Sequence, residues 1–108
     1  IHGDGEQAFD FVHVSDMAAA VHAVLEHNLT GTFNVGTGVA TSLNALLGLL
    51  IEVTGRRPAA IRYGPPRVGA VSRSCLDVRK LIGTGCWAPR YDLRHGLADM
   101  VASLMESV

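Results

Sequence analysis

Runs of β-forming residues alternate with amphipathic helical stretches along this chain, and that alternation predicts an α/β fold. The expected architecture is a small domain of three amphipathic helices packed with a few short strands. Two further observations point the same way. Each helical stretch follows a Ser, Thr or Asp able to cap it. A composition of 48% hydrophobic and 18% charged residues belongs to a globular chain and not to a disordered one. The 108 residues suit one domain.

The first element follows an Asp4-Gly5 pair, which predicts a type I′ hairpin turn because both central residues of that turn need positive φ. Upstream of the turn stand only Ile1 and His2, too few for a strand, and the chain opens on Ile instead of Met. The expectation is that the chain is a piece of something longer. Phe9-Asp10-Phe11-Val12-His13-Val14 is rich in β-formers and reads as a strand. Ser15 or Asp16 caps the helix that follows, whose apolar face is Met17, Val21, Val24 and Leu25. Thr32-Phe33-Asn34-Val35 reads as a short strand running into Gly36-Thr37-Gly38.

Thr41 or Ser42 caps the second helix, with Leu43, Leu46, Leu47, Leu50 and Ile51 on one face and Gly55 as its stop. Ile61-Arg62-Tyr63 is a short extended piece before Gly64-Pro65-Pro66. Residues 71–76 read as extended, and Asp77 caps a short helix through Ile82. A loop holding Cys86, Trp87 and Pro89 leads to Asp92, the cap of a last helix whose face is Leu93, Leu97, Met100, Val101 and Leu104. Trp87 is expected to pack under that last helix. The visible strands are few and short for three helices, so the core reads as thin.

A net charge of −1 conceals an asymmetry: no Lys or Arg occurs before Arg56, and eight of the nine bases are Arg. The bases are scattered among apolar residues and only 6% of the chain is aromatic, which argues against a nucleic-acid patch. A solvated surface with one or two functional Arg residues fits better. No apolar run reaches the roughly 18 residues of a membrane span. Cys75 and Cys86 lack metal spacing and read as reduced thiols of a cytoplasmic protein. His13, His22 and His27 share no metal geometry. Gly36-Thr37-Gly38 lacks the third glycine of a dinucleotide loop, Thr41 standing in its place, and no acid follows at the ribose position.

Taken in order, GDGEQAFDFVHVSDMA, TFNVGTG, TSLNAL, PPRVGAVSRSCLD, CWAP and DLRHGL resemble the C-terminal part of extended short-chain dehydrogenases, the NAD-dependent nucleotide-sugar epimerases and dehydratases. UDP-glucose 4-epimerases are the nearest in pattern. The resemblance runs from Gly3 to Leu104. It implies that residues 1–108 form the substrate-binding part and that an N-terminal Rossmann domain, with its NAD and its Tyr-x-x-x-Lys pair, lies elsewhere. Four residues after Tyr63 stands Arg67 and four after Tyr91 stands His95, so no such pair is present. No NAD is expected on this chain alone. The parent enzyme is expected to be a homodimer that oxidises the sugar transiently at C4, and the choice between epimerase and dehydratase stays open.

The carry-over to single residues is partial. The resemblance implies that Arg67 grips the nucleotide diphosphate, that Phe11 and Leu43 line the nucleotide pocket, and that Ser74 borders it. A second diphosphate Arg is replaced by Phe9, and an acid that helps hold the nucleoside is replaced by Ala70. The expected ligand is a UDP-sugar. The rival expectation is a non-catalytic remnant or a free-standing nucleotide-sugar binding module.

Overall fold

The computed structural model describes residues 1–69 and 72–106. Its elements run β1 (Ala8–Phe9), α1 (Val14–Glu26), β2 (Thr41–Ser42), α2 (Leu43–Thr54), β3 (Arg73–Ser74), α3 (Arg79–Ile82) and α4 (Leu93–Glu106). The α/β class holds, with three long helices and the short helix expected through Ile82. The sheet has the order β2-β1-β3. In it β1 pairs antiparallel with β2, Phe9 opposite Thr41, and parallel with β3, Phe9 opposite Ser74.

Helix boundaries follow local chemistry. Ser42 caps α2 by accepting the Ala45 N–H at 3.1 Å, and Gly55 closes it in the left-handed conformation at φ +68°. Asp92 caps α4 by accepting the His95 N–H at 2.8 Å. Asp77 accepts the Arg79 N–H at 3.1 Å ahead of α3, although Val78 is the residue at the boundary.

Five expectations are corrected. Asp4-Gly5 forms no type I′ hairpin: positive φ falls on Gly3 and Gly5, not on Asp4. Asp4 instead accepts the Glu6 N–H through its side chain, a local turn that needs no second strand. The strand expected over residues 9–14 ends at Phe9, and α1 begins at Val14 with His13 as its cap, the ring Nδ1 accepting the Ser15 N–H at 3.0 Å. Residues 32–35 form no strand: the neighbouring 77–80 segment meets them through side chains, Asn34 donating to the Asp77 carbonyl at 3.3 Å and Lys80 to the Thr32 carbonyl at 2.7 Å, and not through a backbone ladder. Of the extended stretch expected at 71–76, only Arg73–Ser74 is a strand, and Val71 lies outside the described residues.

The fifth correction concerns the core. The buried face of α1 is Asp16, Ala20 and Ala23, while Met17, Val21 and Leu25 are exposed. Small side chains at Ala20 and Ala23 let Leu81 and Trp87 come close, and Val24, Phe33 and Val35 pack around them. Trp87 therefore packs under α1 and not under the last helix. Its indole N–H donates to the Asp16 carbonyl at 3.0 Å, and the Asp16 carboxylate accepts the Arg90 and Tyr91 N–H groups at 3.1 Å. A buried carboxylate so satisfied fixes the 87–91 loop on the helix. Helices α2 and α4 pack on each other, and Arg94 pairs with Glu52 between them.

Candidate nucleotide-sugar cleft

The N-terminal loop and the loop after Tyr63 are drawn together by backbone bonds. The Gly3 N–H donates to the Gly64 carbonyl at 2.8 Å, and the Gly64 N–H donates to the Ile1 carbonyl at 2.6 Å. Asn44, at the start of α2, ties the same region from the side. Its amide donates to the Asp4 carbonyl at 3.0 Å and to the Glu6 carboxylate at 2.6 Å, and its carbonyl accepts the Tyr63 hydroxyl at 2.9 Å. Between these segments opens a cleft of about 620 Å³, lined by His2, Asp4, Glu6, Phe9, Leu43 and Arg67 among others.

Of the residues singled out in the sequence, Arg67 and Leu43 thus meet in one cleft, with Phe9 on its wall. Ser74 does not line it; it is exposed on β3, paired with Phe9 across the sheet. Phe11 meets Phe9 edge-on at 6.2 Å between ring centroids. It lines a second, apolar cleft of about 430 Å³ between α2 and α4, with Leu46, Leu50, Leu97 and Met100. Ala70 lies outside the described residues. Sequence reading missed Asn44, whose signal was a lone amide beside an otherwise leucine-rich helix face.

The Gly36-Thr37-Gly38 turn is occupied from within. Asp10 accepts the Thr37 N–H at 3.0 Å, the Thr37 hydroxyl at 2.6 Å and the Gly38 N–H at 2.9 Å. A dinucleotide loop must aim such donors at a pyrophosphate; here a carboxylate of the chain itself takes them. The residues of this turn do not fit NAD. His13 is likewise committed, its Nδ1 accepting from Ser15 while Nε2 donates to Asp99 at 3.0 Å and the ring stacks on Tyr91 at 4.1 Å. Among the described residues no group of three His, Cys, Asp or Glu could hold a metal, and no helix is long and apolar enough to cross a membrane. Shifted carboxyls lie away from the cleft. The Arg79 guanidinium holds Asp77 down to about 2, and the His95 N–H lowers Asp92.

The profile of the NAD dependent epimerase/dehydratase family matches residues 1–36. A UDP-glucose 4-epimerase of Mycolicibacterium smegmatis is 37% identical over 105 residues, 94% of this chain and 32% of its own length. A solved structure of UDP-glucose 4-epimerase with UDP-glucose, from Thermotoga maritima, is 39% identical and superposes with a TM-score of 0.84 over 99% of this chain and 34% of that one. The chain is related to the NAD-dependent epimerase/dehydratase family. Its fold matches the C-terminal portion of these Rossmann-type enzymes. A dTDP-glucose 4,6-dehydratase of Streptomyces griseus is 32% identical over 103 residues, so both branches of the epimerase/dehydratase family are represented. The chain spans about a third of the length of the relatives it matches.

Proposed function

We propose that residues 1–108 are the nucleotide-sugar-binding part of an NAD-dependent epimerase or dehydratase, closest in kind to UDP-glucose 4-epimerase, and that a UDP-sugar binds in the Arg67 cleft. The observation carrying this reading is the meeting of Arg67, Leu43 and Phe9 around about 620 Å³, a size within the usual range of small-molecule sites. Arg67 supplies a planar fork of donors suited to phosphate oxygens, and Phe9 and Leu43 supply apolar walls. Ser74 and Phe11 support the Phe9 wall from β3 and from the adjoining ring. NAD and the reacting centre belong to a Rossmann domain of the parent enzyme, a cytoplasmic homodimer, and this chain alone carries no epimerase activity.

Titration calorimetry with UDP-glucose tests the reading. Arg67→Ala should weaken binding roughly ten- to a hundredfold, the equivalent of about 1.5–3 kcal/mol for a charge-assisted contact. Binding that is absent, or unchanged by that substitution, favours the second reading, a non-catalytic remnant. The observation behind that alternative is Phe9, an aromatic ring on the cleft wall where the family resemblance calls for a second guanidinium.

A further inference from the structure

The aim of Arg67 into the cleft is set from its backbone. Among the described residues no side chain pairs with its guanidinium, so nothing at the far end of the side chain steers it. Its base is held by the run Tyr63-Gly64-Pro65-Pro66. Gly64 is bonded to the N-terminal loop through both of its backbone groups, accepting the Gly3 N–H at 2.8 Å and donating to the Ile1 carbonyl at 2.6 Å. Two prolines follow, each with φ fixed by its ring, and they join this anchor to Arg67 as a stiff spacer.

Tyr63 ties the same run from the other side. It is 52% exposed, yet its hydroxyl donates to the Asn44 side-chain carbonyl at 2.9 Å. Asn44 is itself held at every polar group. Its backbone N–H donates to the Gly5 carbonyl at 3.0 Å, and its amide donates to the Asp4 carbonyl at 3.0 Å and to the Glu6 carboxylate at 2.6 Å. It stands in the first turn of α2, next to Leu43 of the cleft wall. A fully satisfied polar side chain that bonds several segments rigidifies their placement. We propose that Asn44 is a positioning residue of the nucleotide-sugar cleft, acting through the Tyr63 hydroxyl to preset Arg67 for a diphosphate oxygen. A ligand then meets a guanidinium on backbone that is already ordered, and binding loses less conformational freedom. This proposal rests on the reading of the cleft as a nucleotide-sugar site.

Calorimetry with UDP-glucose on the full chain, across Tyr63→Phe, Arg67→Ala and the double variant, tests it. Tyr63→Phe removes one hydroxyl from an exposed ring and leaves Asn44 in place. It should weaken binding about threefold to tenfold, the effect of having to order one more segment on binding. In the Arg67→Ala background the same change should have no effect, because the group it positions is gone. Asn44→Ala should behave alike in both backgrounds, and Tyr63→Phe serves where that variant fails to fold. If Tyr63→Phe leaves binding unchanged, or weakens it equally with and without Arg67, the proposal is overturned and the nucleotide-sugar site stands. Failure of UDP-glucose to bind, or binding indifferent to Arg67→Ala, overturns the proposal together with the site reading beneath it.

Discussion

At the scale of single residues, two polar side chains do what a longer ladder of backbone bonds does elsewhere. Asp10 gathers three donors of the 36–38 turn, and Asn44 gathers the cleft rim. Asn44 also explains why position 5 is glycine. A Cβ there would stand 2.2 Å from the Asn44 carbonyl oxygen, and the backbone sits at φ +77°. Gly5→Ala should therefore cost more than the 1–2 kcal/mol or so of the left-handed conformation alone, because Asn44 must also leave its partners. Urea unfolding of Gly5→Ala, Asn44→Ala and the double variant gives the check. The double variant should be markedly less unstable than the sum of the singles, since Asn44→Ala removes the clash. Additive losses would show that the two residues act independently.

At the scale of elements, α3 is a single turn and owes its definition to the Asp77–Arg79 unit before and within it. The carboxylate accepts the Arg79 guanidinium at 2.9 and 2.7 Å as well as the Arg79 backbone N–H. These bonds hold the Asp77 pKa at about 2 against an ordinary 3.8, the side-chain bond contributing most. A folded-state pKa below the unfolded value means that the unfolded chain takes up the proton first as pH falls. The stabilisation is thus complete above 3.8 and disappears toward about 2. Asp77→Asn should lower stability at neutral pH, and its gap from the unaltered chain should close across that acid window. A gap that stays constant on acidification would contradict the assignment. The pair is exposed on both sides, so the effect is small and weakens with salt.

Both ends of α2 and the start of α4 were legible in the sequence because capping is local chemistry, whereas α1 is capped by His13 and not by the expected Ser15 or Asp16. Ser42, Gly55 and Asp92 act within four residues of where they stand. Arg67 and Leu43 were legible as a pair only through resemblance, since their meeting depends on the bridge between His2 and Gly64. The buried face of α1 was not legible. Hydrophobic periodicity weights Met17, Val21 and Leu25 by size, whereas the packing partner, Trp87, selects the side where Ala20 and Ala23 leave room. The strand over residues 32–35 failed for a related reason. β-Propensity reports fitness for a pleated surface, and a ladder also needs a neighbour's backbone.

At the scale of the whole molecule these two failures have one physical meaning: the chain shows more surface than its mass warrants. A compact protein of 11.4 kDa is expected to expose about 5,800 Å²; this one exposes 7557 Å². Its radius of gyration is 16.2 Å, against about 13 Å for a compact chain of this length. The excess, roughly 1,800 Å², is about twice what one partner contributes to a standard protein interface. Part of it is the apolar stripe Val14, Met17, Val21 and Leu25 on α1. Apolar surface of this kind drives association in water, so the isolated chain should self-associate with rising concentration and bind a dye that reports exposed apolar patches. Val21→Lys with Leu25→Lys should reduce both signals. Because 55% and 72% of those side chains already face solvent, the urea midpoint should shift by no more than the ~0.5 kcal/mol typical of surface changes. Sedimentation and unfolding measured on the same samples separate the outcomes. Unchanged association would place the sticky surface elsewhere, and collapse of the fold would mean that the α1 stripe is buried in solution.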